Sequence, residues 1–227
     1  MSPVLKKIAE LMVALRRPTF RDSAEFWEQR YKSGGTSGCG SYGALADFKA
    51  QVLNDFVARS GVTSVVEFGC GDGNQLSLGR YPSYVGLDIS PSAIERCLKR
   101  FAGDATKSFM TIPRDATSSQ WSAPRADLAL SLDVVFHLVE DSIFELYMIR
   151  LFAAATRFAI VYSTDFDETS SEPHVRHRRF TPWVEEHCPD WRLLETVKSP
   201  IQFAPTDKDN RVCTFYMYGN ERSAPNT

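Results

Sequence analysis

Two rhythms of apolar residues divide the chain. Where an apolar residue returns every third or fourth position, a helix is predicted. That pattern covers Glu25 to Tyr31 and Ala44 to Arg59, the second with Leu45, Phe48, Val52, Leu53 and Phe56 on one face. It returns after Ser90-Pro91, an N-cap followed by a first-turn proline, with Ile94, Cys97, Leu98 and Phe101 on one side. Two more helices are predicted, from about Ser142 to Ala155 and near Thr181 to His187. Short runs of mainly apolar or β-branched residues predict strands at Ser64 to Phe68, Tyr84 to Ile89, Ser108 to Ile112, Ala126 to Leu132 and Arg157 to Ser163. The fourth of these is apolar almost throughout, as a strand covered on both faces should be. Arg192 to Val197 and Val212 to Tyr218 predict a final strand pair with no helix between them. Strands alternating with helices, then such a pair, suit an α/β fold. The sheet expected is doubly wound, seven-stranded and mostly parallel, with an antiparallel C-terminal edge strand.

Two segments stand outside this scheme. At the start, Val4, Leu5, Ile8, Leu11, Met12 and Leu15 recur at helical spacing among Lys6, Lys7, Arg16 and Arg17. Such a helix either lies on a membrane surface or packs its stripe on the domain or on a second subunit, which would make a homodimer. It lacks the unbroken apolar core and cleavage site of a secretory signal. Lys32 to Gly43 is a loop with five glycines and three serines, either a lid over a site or a plain linker.

Composition narrows the class. With 43% hydrophobic and 24% charged residues in 227, the chain is an ordinary globular protein. A net charge of −2 gives no pull toward nucleic acid. The five cysteines, Cys39, Cys70, Cys97, Cys188 and Cys213, lack metal-ligand spacing and suit a reducing, cytoplasmic setting. No apolar run reaches the roughly 18 residues of an integral membrane segment.

The chemistry concentrates in Val65-Val66-Glu67-Phe68-Gly69-Cys70-Gly71-Asp72-Gly73-Asn74. A β-branched run empties into three alternating glycines, which let backbone approach a ligand closely. This is the carboxyl edge of an open sheet, where ligands bind. Asp88, nineteen residues after Gly69, ends the next strand, at about the offset where an acid grips an adenosine ribose. A dinucleotide fingerprint would need glycine where Asn74 stands. Glu67 would also repel a pyrophosphate, yet it suits a cationic amino group.

These residues resemble the first motif, E/D-x-G-x-G-x-G, of the class I S-adenosylmethionine-dependent methyltransferases, and the resemblance extends over about residues 60 to 165. It implies a Rossmann-like fold with S-adenosylmethionine as cofactor and S-adenosylhomocysteine as product. Residues 1–60 would then be N-terminal helices and a glycine-rich lid on a core of residues 61–227, in one structural domain. Glu67 would hold the ammonium, and Gly69, Gly71 and Gly73 would close on the amino-acid portion. Asp88, with Ile89 beside it, would take both ribose hydroxyls. Asp115, with Ala116, matches the acid that takes the adenine amino group. Asn74 and Gln75 would bond the carboxylate from the start of the following helix. Asp72 reads as a turn residue.

Asp133 resembles the residue beside the reactive methyl, and His137 follows it as a candidate general base or as a residue that merely caps the loop. His174 and His177 form a second candidate base pair. Arg176 and Arg178 beside them would bind an anionic acceptor, or else belong to a solvated basic loop. Tyr42, in the glycine-rich loop, is a further candidate substrate contact. Asp133, Asp165 and Asp167 could be read as magnesium ligands, but the Asp-Asn pair of metal-assisted relatives is replaced by Thr164-Asp165-Phe166, so no metal is expected. The activity implied is methylation of a small molecule, favouring a hydroxyl of a sugar or related anionic metabolite. A nitrogen acceptor is the alternative. Non-catalytic cofactor binding, an NAD dehydrogenase and a nucleic-acid methyltransferase are the competing classes.

Overall fold

The computed structural model describes residues 20–113, 121–201 and 212–223. The amphipathic segment at 4–15, with the dimer expected through it, and Asp115 and Ala116 lie outside the described residues. Helix α1 (Ser23–Lys32) is capped by Asp22, whose Oδ1 accepts from Glu25 N at 2.6 Å. Helix α2 (Gly43–Ser60) ends at Gly61, whose φ of 58° is left-handed. Five strands then alternate with connections: β1 (Val65–Phe68), β2 (Tyr84–Asp88), helix α3 (Pro91–Arg100), β3 (Lys107–Thr111), β4 (Ala126–Leu132), helix α4 (Asp141–Ala154) and β5 (Ala155–Ser163). Ser90 caps α3 by accepting from Ala93 N, with Pro91 in the first turn. A two-stranded ribbon, β6 (Glu168–Thr169) with β7 (Arg176–His177), occupies what the sequence presents as a polar loop. Helix α5 (Thr181–His187), β8 (Trp191–Lys198) and β9 (Thr214–Asn220) complete the order.

The main sheet has seven strands in the order β3-β2-β1-β4-β5-β9-β8. The first five are parallel, and β9 runs antiparallel between β5 and β8. Alternation along the strands divides the core between two faces. Val65, Leu128, Leu130 and Ile160 pack with Leu53 and Phe56 of α2 and with Ile94 and Cys97 of α3. Val66, Phe68, Ala129 and Val161 pack with Met148, Leu151 and Phe152 of α4 and with Val184 of α5. The middle strands β1 and β4 are therefore buried along nearly all their length, and their carboxyl ends open on one edge.

One expected element is missing. The connection from the glycine loop to β2 contains a three-residue 3-10 turn, Leu76–Leu78, in place of a helix. Gly79 closes that turn and Pro82 follows, leaving no room for two helical turns. The anion-binding helix end expected at Asn74 and Gln75 is therefore absent. Among the described residues no helix is long and apolar enough to cross a membrane.

Candidate active site

β1, β2 and β4 are neighbours, so Glu67, Asp88 and Asp133 meet at one edge of the sheet. The chain leaves β1 through Gly69, Gly71 and Gly73, all at positive φ. A Cβ on Gly69 would stand 2.5 Å from Val134 Cγ2, and one on Gly73 2.8 Å from the Phe101 ring. Only glycine satisfies both the dihedral angle and the space.

Asp88 is buried, and its oxygens accept from the backbone N–H groups of Gly71 (2.9 Å) and Ser90 (2.8 Å). Burial raises its carboxyl to about 6, against the pull of those amides. Each carboxylate oxygen offers two lone pairs, so each retains one for a ligand hydroxyl. Glu67 is also buried, and Tyr84 OH donates to its Oε2 at 2.6 Å. Burial pushes it up to about 7, although the Tyr84 hydroxyl and the Lys49 charge favour its ionised form.

Lys49 of α2 is fully buried. Its Nζ lies 2.5 Å from Asp133 Oδ2 and 5.3 Å from the centre of the Tyr162 ring. Asp133 has a φ of 58°, the one positive value among the described non-glycine residues. Its Oδ1 is buried without a hydrogen-bond partner, as is Gln75 Oε1, while Gln75 Nε2 donates to Ala46 O at 3.1 Å. Sequence reasoning missed Lys49. Its signal was a lysine midway between Leu45 and Leu53 on the apolar stripe of α2.

α1 and the glycine-rich loop close over this edge. Ser23 Oγ donates to Glu140 Oε2 at 2.7 Å. Glu28 accepts from the hydroxyls of Ser90 (2.6 Å) and Ser92 (2.7 Å), tying α1 to the start of α3. Arg96 donates to Gly35 O and Tyr31 O. Asp72 is the clasp: Oδ2 accepts from Ser37 N (3.0 Å) and Tyr42 OH (2.8 Å), and Asp72 N donates to Ser37 Oγ. Asp72 is a turn residue, since Asn74 N bonds its Oδ1, and a lid anchor as well.

The remaining predicted residues separate into two groups. Glu67, Gly69, Gly71, Gln75, Asp88, Ile89, Asp133 and His137 line one cavity of about 330 Å³, with Trp27, Leu138, Ile143, Leu146 and Trp121 among its apolar walls. Gly73, Asn74, Tyr42, His174, His177, Arg176 and Arg178 do not line it. Tyr42 is held by Asp72, and Asn74 bonds Ser41 O and Arg100. Arg178, buried, donates to Leu138 O, Val139 O and Asp141, and Arg176 donates to Val139 O and pairs with Asp141. Both arginines therefore pin the loop after β4 rather than line the cavity. His177 bonds Thr164 Oγ1 through Nδ1 and stacks on Phe166.

His137 Nδ1 lies 3.0 Å from His174 O. A carbonyl only accepts, so Nδ1 carries the proton and Nε2 keeps its lone pair. Burial lowers this imidazole to about 4, with the charges of His174 and Arg30 adding to the shift. His174 stacks between Phe26 (4.1 Å) and His137 (5.5 Å), bracing α1 against the β4 loop. Asp165 caps α5 at Thr181 and Asp167 accepts from Arg179 N, so neither converges with Asp133. Among the described residues no three acidic, histidine or cysteine side chains are grouped to hold a metal ion.

The donors and acceptors fit S-adenosylmethionine. A buried acid suits an ammonium, a two-oxygen acid suits a vicinal diol, and two buried acceptor atoms await partners. Residues 66–150 match the family model of a methyltransferase domain. The N-methyltransferase NodS from Bradyrhizobium japonicum WM9, solved with S-adenosylhomocysteine, is 16% identical, with 88% of this chain and 99% of that one covered and a TM-score of 0.65. Magnesium protoporphyrin IX methyltransferase (ChlM) from Synechocystis PCC 6803 is 14% identical, covering 88% and 100%, at 0.61. A putative O-methyltransferase from Klebsiella pneumoniae is 11% identical, covering 94% and 96%, at 0.56. At such identities the likeness is one of fold. No curated protein sequence gives a significant match. Residues 66–150 thus match a methyltransferase domain, and the chain shares the fold of S-adenosylmethionine-dependent methyltransferases.

Proposed function

We propose that the protein methylates a hydroxyl of a small, largely apolar molecule within the cavity beneath α1. The observation that carries this reading is the meeting of Glu67, Asp88 and Asp133 with His137 around one mainly apolar cavity. When bound, S-adenosylmethionine supplies an electrophilic methyl carbon on a sulfonium. Glu67 holds the ammonium, and Asp88 takes the two ribose hydroxyls on its remaining lone pairs. The lid bonds at Ser23, Glu28 and Asp72 exclude water and hold the acceptor in line. His137 takes the hydroxyl proton on Nε2. A base held near 4 favours an acidic hydroxyl, phenolic in character, over a sugar hydroxyl. The engagement of Arg176 and Arg178 with the protein's own carbonyls weighs against an acceptor chosen for its negative charge.

The same weak base favours one second reading, an amine acceptor, which attacks as the neutral amine and needs no strong base. Calorimetric titration with S-adenosylhomocysteine tests the cofactor half. Micromolar binding that is lost in Asp88→Ala is expected, and no binding by the wild type would refute it. Mass spectrometry of phenol and amine panels incubated with S-adenosylmethionine then separates the acceptors. A protein that binds cofactor yet never yields S-adenosylhomocysteine would be an adaptor.

A further inference from the structure

We propose that Lys49 is a positioning residue that balances the charge of Asp133 and so keeps the β4 end of the cavity from stabilising a sulfonium. The inference rests on the cofactor reading above.

Four observations carry it. Lys49 is the one lysine or arginine among the described residues with no exposed surface, and it reaches Asp133 from beneath the cavity. Asp133 sits at positive φ, a conformation that requires support from its surroundings. The two atoms of its carboxyl have different surroundings: Oδ2 meets Lys49, and Oδ1 has no partner. Asp133 lines the cavity and Lys49 does not, so Lys49 touches no ligand and meets the β4 end of the site through Asp133.

A buried lysine loses a large hydration energy, and hydrophobic pairs often replace buried ion pairs without loss of stability. Stability alone is therefore a poor reason for this pair. The chemistry supplies a better one. Methyl transfer converts a sulfonium to a neutral thioether, so positive charge disappears from the cavity. An unbalanced carboxylate nearby would favour the charged starting state and raise the barrier. Glu67 does not have this effect, because the ammonium it faces is present both before and after transfer. The pairing of Lys49 with Asp133 leaves no unbalanced carboxylate at the β4 end of the cavity, while Glu67 faces the lasting cation.

The ratio of S-adenosylmethionine to S-adenosylhomocysteine affinity isolates this effect, since contacts common to both ligands cancel. In Lys49→Met, measured calorimetrically at pH 8, S-adenosylmethionine should gain about tenfold over S-adenosylhomocysteine, the scale of one unbalanced charge several ångströms away in a partly screened interior. Asp133→Asn leaves Lys49 unbalanced and should move the ratio about tenfold the other way. The double variant, which carries neither charge, should return to the wild-type ratio. If Lys49→Met fails to fold, Asp133→Asn still decides the question by the sign of its shift. Two binding ligands with a ratio unmoved in either single variant would overturn the inference and leave the cofactor reading intact. Failure of both ligands to bind the wild type would overturn that reading instead.

Discussion

Glutamine in place of Glu67 removes a charge without changing shape, and the effect of that change depends on pH. Burial places the Glu67 carboxyl at about 7, so in the empty site it is about half protonated at pH 7. A ligand ammonium binds the ionised form, so binding should expel about half a proton at pH 7 and about nine-tenths at pH 6. Affinity for S-adenosylhomocysteine should accordingly fall about tenfold, or about 1.4 kcal/mol, for each pH unit below 7. Asp88 titrates lower, near 6, so the window between pH 6 and 8 belongs mainly to Glu67. Calorimetry in two buffers of different ionisation enthalpy counts the proton directly. Glu67→Gln should bind more weakly at pH 7 and above, with little proton release or slope between pH 7 and 8. The same shift has a price in the empty protein. The folded carboxyl ionises near 7 and an unfolded one near 4.5. Its contribution to stability is therefore full below about pH 4.5 and is lost as pH rises through about 7, a difference of about 3 kcal/mol. Glu67→Gln without ligand should then be more stable than wild type at pH 8 and similar to it at pH 4.5. A wild type that binds with no proton release and the same affinity at pH 6 and 8 would refute the reasoning.

Three further outcomes are expected. Because burial holds His137 neutral above about pH 4, turnover should be flat in pH from about 5.5 upward as far as this group is concerned. His137→Ala should lower kcat about a hundredfold with little change in S-adenosylhomocysteine affinity; a loss below twofold would contradict its assignment. Arg178→Met removes a buried guanidinium from Leu138 O and Val139 O, which should destabilise the fold by about 2 to 3 kcal/mol in urea unfolding. A change below about 0.5 kcal/mol, paired with a raised acceptor Michaelis constant, would return Arg178 to an acceptor site.

The order of strands and helices, the glycine loop and Asp88 were legible along the chain because each depends on local physics. An apolar run must be buried on both faces, a left-handed turn selects glycine, and an acid at a strand end faces the crevice. Local signals failed where partners lie far apart in sequence. Nothing in residues 173–179 shows that two arginines face Val139 and Leu138 and not solvent or substrate. A cation's chemistry states what it can bind, and only packing states what it meets. The expected crossover helix after Gln75 failed for a related reason: a parallel connection can be completed by a 3-10 turn when Gly79 and Pro82 stand close behind.

What the sequence determined by itself is the fold, the cofactor-binding edge and the acids that face it, since pattern and backbone conformation are properties of neighbouring residues. What the tertiary structure alone decided is the charge state of that edge. Lys49 reaches Asp133 across 84 positions, Glu28 reaches Ser90 across 62, and His137 lies buried against His174. Burial and charge pairing set how strongly each acid or base holds its proton, and both exist only once distant segments have been packed together.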